Sequence, residues 1–215
     1  MRLDKIIHNF EKNTVGMLQG KPRMLNLDKT DADHPDGLHI VGHVKANTMA
    51  TAPWSRVKVH KGYFYGVTDS AISNGDLVLD RSDNYYYLVM SVKAERLGGY
   101  VTYLDGTLFL CDSQIEISRF EEGERDNFGR VLTPGLTVKV PFAYATTNLK
   151  NFDVLEQKDR LVPQEKLIIY VQPKTGVQVA DRIIMLDTMD RYRVVSIDKK
   201  SIIGLWSCQV DVDDR

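Results

Sequence analysis

The residues best suited to metal chemistry lie between Asp31 and His43, where Asp31, Asp33 and Asp36 share a short stretch with His34, His39 and His43. A metal site needs several deprotonated donors converging on one point. His39 and His43 stand four apart, so a helix would bring them together. Ile40, Val41 and Gly42 between them favour a strand, which sets the two imidazoles about 13 Å apart on one face. The three aspartates lack the ordered spacing of a calcium loop. The stretch reads as a polar loop running into a strand, and a metal-dependent enzyme using His34, His39 and His43 is the outlying alternative.

Nucleophilic chemistry finds little support. Cys111 and Cys208 follow the apolar runs Leu108-Phe109-Leu110 and Leu205-Trp206 and have no His/Asp motif beside them. They read as buried structural thiols, with a mutual disulfide or a reactive thiol as the alternative. Ser70 and Ser73 sit near glycine and aspartate, but no Gly-x-Ser-x-Gly elbow surrounds them. No glycine-rich phosphate loop or Walker-type lysine occurs. No catalytic residue, bound metal or cofactor is expected.

Two aromatic clusters, Tyr63-Phe64-Tyr65 and Tyr85-Tyr86-Tyr87, are the other candidates for binding. Consecutive residues of a strand point to opposite faces, so one side of each cluster enters a core. The other side suits sheet packing or a subunit interface, or else stacking on nucleic-acid bases or sugars. Lys58, His60, Lys61 and Lys93 add too little charge to favour the second reading. Across 215 residues the net charge is −1, which gives no general attraction for nucleic acid.

The elements that would position these residues are mostly strands. Leu3, Ile6, Ile7 and Phe10 fall at helical spacing and predict a short amphipathic helix ending near Asn13. Its apolar face must dock on its own domain or on a neighbouring subunit. Charges interrupt the first residues too early for a signal-peptide core, and no run approaches the length that spans a bilayer. Residues 15–37 read as an extended arm. Strands are expected over Leu38–Val44, Arg56–His60, Leu77–Leu79 and Tyr85–Val92. Tyr100–Leu104 and Thr107–Cys111 read as a hairpin turning at Asp105-Gly106. Ile115, Ile117 and Arg119-Phe120 close the first set. Residues 121–130 read as a linker. Further strands are expected at Leu136–Val140, stopping at Pro141, then at Leu167–Val171, Arg182–Leu186, Tyr192–Ile197 and Ile202–Val212. A short helix or loop is expected over Leu149–Leu161.

The chain also repeats itself. Tyr63–Val92 lies over Ile168–Ile197 without a gap, placing Tyr65 on Tyr170, Asp76 on Asp181, Tyr87 on Tyr192, Val89 on Val194 and Ser91 on Ser196. Ile72 falls on Val177, and Val78-Leu79 on Ile183-Ile184. After a loop that is longer in the first copy, Cys111 and Cys208 take similar places. The expected fold is mainly β: two related small β-barrel-like or curled-meander units with a short N-terminal helix and an extended arm. The expected division is 1–37, 38–120, a linker at 121–130, and 131–215.

Gly75-Asp76, Tyr87-Leu88-Val89, Leu110-Cys111-Asp112 and Ile115-Glu116-Ile117 together resemble the head-to-tail joining (neck, connector or adaptor) proteins of tailed bacteriophages. Asp181, Tyr192-Arg193-Val194 and Ser207-Cys208-Gln209 match the same pattern less completely, without the glycine before Asp181. The resemblance covers roughly 63–118 and 168–212. It implies a structural virion protein assembled in the host cytoplasm as a homo-oligomeric ring. The partners implied are other neck, portal or tail proteins, with genome DNA a possible contact in the lumen, and no membrane. Interface roles then fall to the arm, at Lys21, Arg23 and Asp36, and to the 93–106 hairpin, at Arg96, Tyr100, Tyr103 and Asp105. Another tail or baseplate component, or a nucleic-acid or carbohydrate binding β module, are the alternatives.

Overall fold

The computed structural model describes residues 24–47, 61–121 (without 69, 83 and 98), 135–157 and 160–213. The amphipathic helix expected at 3–13, the strand at 56–60 and the linker residues 122–130 lie outside them. So do Lys21 and Arg23.

The first seven strands are β1 (Met24–Asn26), β2 (Leu38–Ile40), β3 (Gly42–Asn47), β4 (Lys61–Gly66), β5 (Leu77–Asp80), β6 (Tyr85–Leu97) and β7 (Tyr100–Leu110). They form one antiparallel sheet in the order β2-β1-β5-β6-β7-β4-β3. Its two end strands, β2 and β3, are separated only by Val41, so the sheet curls until its ends are consecutive pieces of chain. The open edges left are the short strands β2 and β3, which limits pairing with another chain. The inner face holds Met24, Ile40, Phe64, Ile72, Val78, Tyr87, Val89 and Leu108.

The remaining strands are β8 (Ser113–Glu121), β9 (Gly135–Gln157), β10 (Arg160–Val171), β11 (Arg182–Met185), β12 (Arg191–Asp198) and β13 (Trp206–Val212), with one 3-10 turn at Pro173–Thr175. They close into a barrel in the order β10-β13-β12-β11-β8-β9. Ile115, Ile117, Ile169, Val171, Ile183, Val194 and Val210 fill it, together with Cys208.

The two units are one fold laid down twice. Gly75 N–H donates to Val89 and Val89 N–H to Asp76; Ala180 N–H donates to Val194 and Val194 N–H to Asp181. The carboxylate of Asp76 accepts the Ser73 N–H at 2.7 Å, and that of Asp181 accepts the Gln178 N–H at 2.7 Å. The ladder slips between Val89 and Ser91 in one unit and between Val194 and Ser196 in the other. Asn84 and Met189 both take a left-handed backbone at the following hairpin. Each of these pairs differs by 105 positions, the register read from the sequence.

The repeat also reaches further than the sequence suggested. Met24 pairs with Asp80 as Ile115 pairs with Met185, which makes β1 the counterpart of β8. Met24 pairs with Ile40 as Ile115 pairs with Ala143, and Val44 with Phe64 as Thr147 with Ile169. The β2–β3 stretch is thus the counterpart of the middle of β9.

Several expectations are corrected. The change of unit falls between Cys111 and Asp112, not after residue 120, because β8 pairs with β9 and β11 and buries Ile115 and Ile117 in the barrel. The end of the expected arm is a strand: Met24, Leu25 and Asn26 are buried, and Asn26 Nδ2 donates to the Ala71 carbonyl and to Asp76. Asp105-Gly106 is not a turn. It lies within β7, paired with Tyr65 and Phe64 on one side and Lys93 and Val92 on the other. The chain reverses between Leu97 and Tyr100, where Gly99 has φ +91°.

Pro141 does not stop its strand. Ile115 pairs with Ala143 and Ile117 with Val140, so Pro141 sits in a bulge, where a missing N–H costs no ladder bond. Residues 149–157 and 160–161 are the end of β9 and start of β10, not a helix or plain loop. Cys111 and Cys208 are not counterparts. Cys208 pairs with Ile197 as Gly106 pairs with Val92, whereas the Cys111 N–H donates to Tyr86 as the Asp213 N–H donates to Arg191.

The Gly106–Cys208 correspondence explains a difference in the two cores. A Cβ on Gly42 would stand 2.2 Å from the Phe64 ring, and one on Gly66 would stand 2.3 Å from it; Gly106 lies against Phe64 Cβ. The same places in the barrel hold Ala145, Val171 and Cys208 around Ile169. One large side chain among three glycines is exchanged for a smaller one among three side chains. Close packing demands such compensation.

Candidate interaction surfaces

Each unit extends one hairpin beyond its sheet. In the first, β4 pairs with β7 only as far as Leu104, while β6 and β7 pair on to Leu97 and Tyr100. Residues past that point form a two-stranded ribbon, with no third strand among the described residues. The side chains from Lys93 to Leu97 are exposed or nearly so, and Tyr100 is 64% exposed. In the second, β10 reaches β13 only from Leu167 onward, and β8 reaches β9 only as far as Ala145. Among the described residues the backbone of 150–157 and 160–166 pairs only with itself. A two-stranded ribbon is marginally stable in water, so such extensions gain from a partner.

The first ribbon brings together three of the residues expected at an interface, with the fourth, Asp105, in the sheet at its base. Arg96 and Tyr100 are exposed at its tip. Tyr103 lies nearer the base, half-buried, with its ring 6.3 Å from that of Tyr65. Desolvation raises its phenol above the ordinary range, and the carboxylates of Glu95 and Asp105 push the same way. Asp105 Oδ1 is buried without a hydrogen-bond partner among the described residues. Asp36 is exposed in the turn before β2, away from this group in sequence. The Glu95 and Arg96 side chains make no hydrogen bond or ion pair among the described residues.

A groove of about 490 Å³ opens on the second unit, which sequence reasoning did not single out. Its base is ionic. Arg119 grips Asp181 through Nε at 2.8 Å and Nη2 at 2.9 Å and donates to the Gly176 carbonyl. Asp181 is nearly inaccessible, and its hydrogen bonds hold the Arg119 guanidinium above its ordinary range. Arg182 donates to Asp213 at 2.6 Å. Phe120, Leu136 and Val179 form apolar walls although each is largely exposed. Val195 and Val212 continue the apolar surface past Arg193 into an adjoining hollow. Arg193 and Asp211 face each other across β12 and β13, and neither side chain has a hydrogen bond or ion pair among the described residues. The repeat register held a signal for this surface. Arg193 and Asp211 stand where the first unit has Leu88 and Phe109, both buried.

The residues weighed for chemistry are placed differently. The His34 ring lies edge-on to His39 at 5.2 Å, with Asp31 Oδ1 at 3.2 Å from His34 Nδ1. Among the described residues no three His, Cys, Asp or Glu side chains are grouped to hold a metal ion. Neither cysteine is in a disulfide; Cys208 is buried and Cys111 half-buried. Burial pushes the Cys208 thiol up to about 12. Of the aromatics, Phe64 and Tyr87 enter the core, Tyr63, Tyr65 and Tyr86 are half-buried, and Tyr85 is exposed. Among the described residues no helix is long and apolar enough to cross a membrane.

The fold defines an all-antiparallel β protein made of two six-position units. No model of a known family, no curated protein and no solved structure matches the chain.

Proposed function

We propose that this chain is a structural docking protein, and specifically a head-to-tail joining component of a tailed bacteriophage or a phage-derived particle. In this reading it works by assembling into a homo-oligomeric ring that docks on neck, portal or tail proteins. The observation that supports it is the pair of two-stranded ribbons, one projecting beyond the curled seven-stranded sheet and one beyond the closed barrel. Closed sheets resist unwanted edge pairing, while projecting ribbons offer backbone and side chains to a neighbour. The sequence pattern around Gly75-Asp76 and Tyr87-Leu88-Val89 supports the more specific assignment.

The test is the mass of the purified chain in solution, alone and mixed with portal, neck or tail components. The expected result is a discrete oligomer or a stoichiometric complex with one of those components. A chain that stays monomeric and joins none of them would overturn the proposal.

A further inference from the structure

We infer that the groove on the second unit receives the β6–β7 ribbon tip of a second copy of this chain. The inference rests on the docking role proposed above and names the contact that would carry it. The groove carries apolar walls at Phe120, Leu136 and Val179 around the side chain of Arg193, with Asp211 beside it. An apolar groove holding one unsatisfied cation suits a segment with a carboxylate among apolar groups.

The ribbon tip has that chemistry. Glu95 carries a carboxylate without a partner among the described residues, while Leu97 is 42% and Tyr100 64% exposed. These three share one face of the ribbon, since Leu97 pairs with Tyr100 and stands two residues from Glu95, while Arg96 points to the other face. The docking pose sets Glu95 on Arg193 with Leu97 and Tyr100 against the apolar walls. From Leu104 to the turn the ribbon reaches roughly 15 Å, enough to enter a groove on a neighbour. The donor and acceptor surfaces differ, so the contact is heterologous, and repetition of it builds a ring or a filament.

The experiment uses the full chain, with light scattering across a concentration series. Glu95→Arg and Arg193→Glu each reverse a charge at an exposed position, so both variants are expected to fold; circular dichroism checks this. Each single variant is expected to raise the dissociation constant of self-association at least tenfold, and the double variant to recover most of that loss. Unchanged association in both single variants, or no recovery in the double, would overturn the inference while leaving an oligomeric protein and the docking role intact. A wild-type chain that stays monomeric at 100 µM yet binds a particle component would also sink the self-contact but not that role. Monomeric behaviour with no binding to any component would end both.

Discussion

Gly75 and Ala180 occupy the same place in the two units, and both have a left-handed backbone, with φ of +87° and +73°. Each sits just before the aspartate that accepts an N–H from the preceding turn. Glycine takes this conformation without steric cost, whereas a Cβ is penalised by about 1–2 kcal/mol. Ala180→Gly is therefore expected to stabilise the second unit by about 1 kcal/mol, and Gly75→Ala to destabilise the first by at least that much. Denaturant midpoints of the two variants measure both. A lower midpoint for Ala180→Gly would show that the Ala180 methyl contributes more than its backbone strain costs.

The exchange of core volumes gives a second expectation. Phe64→Ile should cost about 2 kcal/mol because the three glycines around it leave the space unfilled. Gly66→Val alone should cost more, since its Cβ has no room beside the Phe64 ring. Combined, the two changes reproduce the pairing of Ile169 with Val171, and the double variant should be more stable than the sum of the singles by at least about 1 kcal/mol. A double-mutant cycle from urea unfolding measures this coupling, and additive costs would refute the compensation.

Outward positions differ as sharply as inward ones. Leu77, Leu88 and Phe109 form a buried row on the face opposite the core. The matching row in the second unit is Arg182, Arg193 and Asp211. Leu88→Arg is expected to cost at least about 3 kcal/mol, because a guanidinium there loses its water without a partner. Arg193→Leu should change stability by less than about 1 kcal/mol, as its site is exposed. Thermal unfolding of the two variants, measured side by side, makes the comparison. Equal effects would mean that the two rows are not in different environments.

The thiols should separate by reactivity and by pH. With Cys208 held at about 12, its reaction with an alkylating reagent at neutral pH should be far slower than that of Cys111 in the native protein. Between the ordinary value of 9.0 and about 12 the unfolded chain releases this proton while the folded chain keeps it. The unfolded state therefore binds fewer protons, and stability falls as pH rises through that window, by up to about 1.4 kcal/mol per pH unit. Cys208→Ala should remove that part of the alkaline slope. Mass spectrometry of timed alkylation and urea midpoints from pH 8 to 11 test both statements, and comparable labelling of the two cysteines would contradict the first.

The repeat was legible in the sequence where side chains do the same work in both units. Asp76 and Asp181 pin a turn, and Val89 and Val194 fill a core at the same ladder slip. It was illegible where the work is shared differently. Asn26 and Ile117 hold matching positions, but one is hydrogen-bonded and the other packed, so β1 gave no sign of its relation to β8. Asp105-Gly106 has the composition of a turn, but strands on both sides hold it extended and the Ser91 carbonyl leaves no room for a Cβ at Gly106. The groove was missed because its parts come from β8, β9, β12 and the turn before β11. No local pattern joins Phe120, Leu136, Val179 and Arg193.

Two copies of one strand order in a single chain create a hazard during folding. β5 and β11 are the same length and sit in the same register, so each could in principle seek its place in the other unit. Such exchange is a common failure of repeated domains. The rows on the outer faces oppose it. If β11 and β12 folded into the first unit, Arg182 and Arg193 would occupy sites built for leucine. If β5 and β6 folded into the second, Leu77 and Leu88 would lie exposed and the charges of Asp211 and Asp213 would lose their neighbours. The divergence of Leu88 and Arg193 thus labels each strand with its own address, and discrimination arises from the penalty for error as much as from the gain on correct pairing.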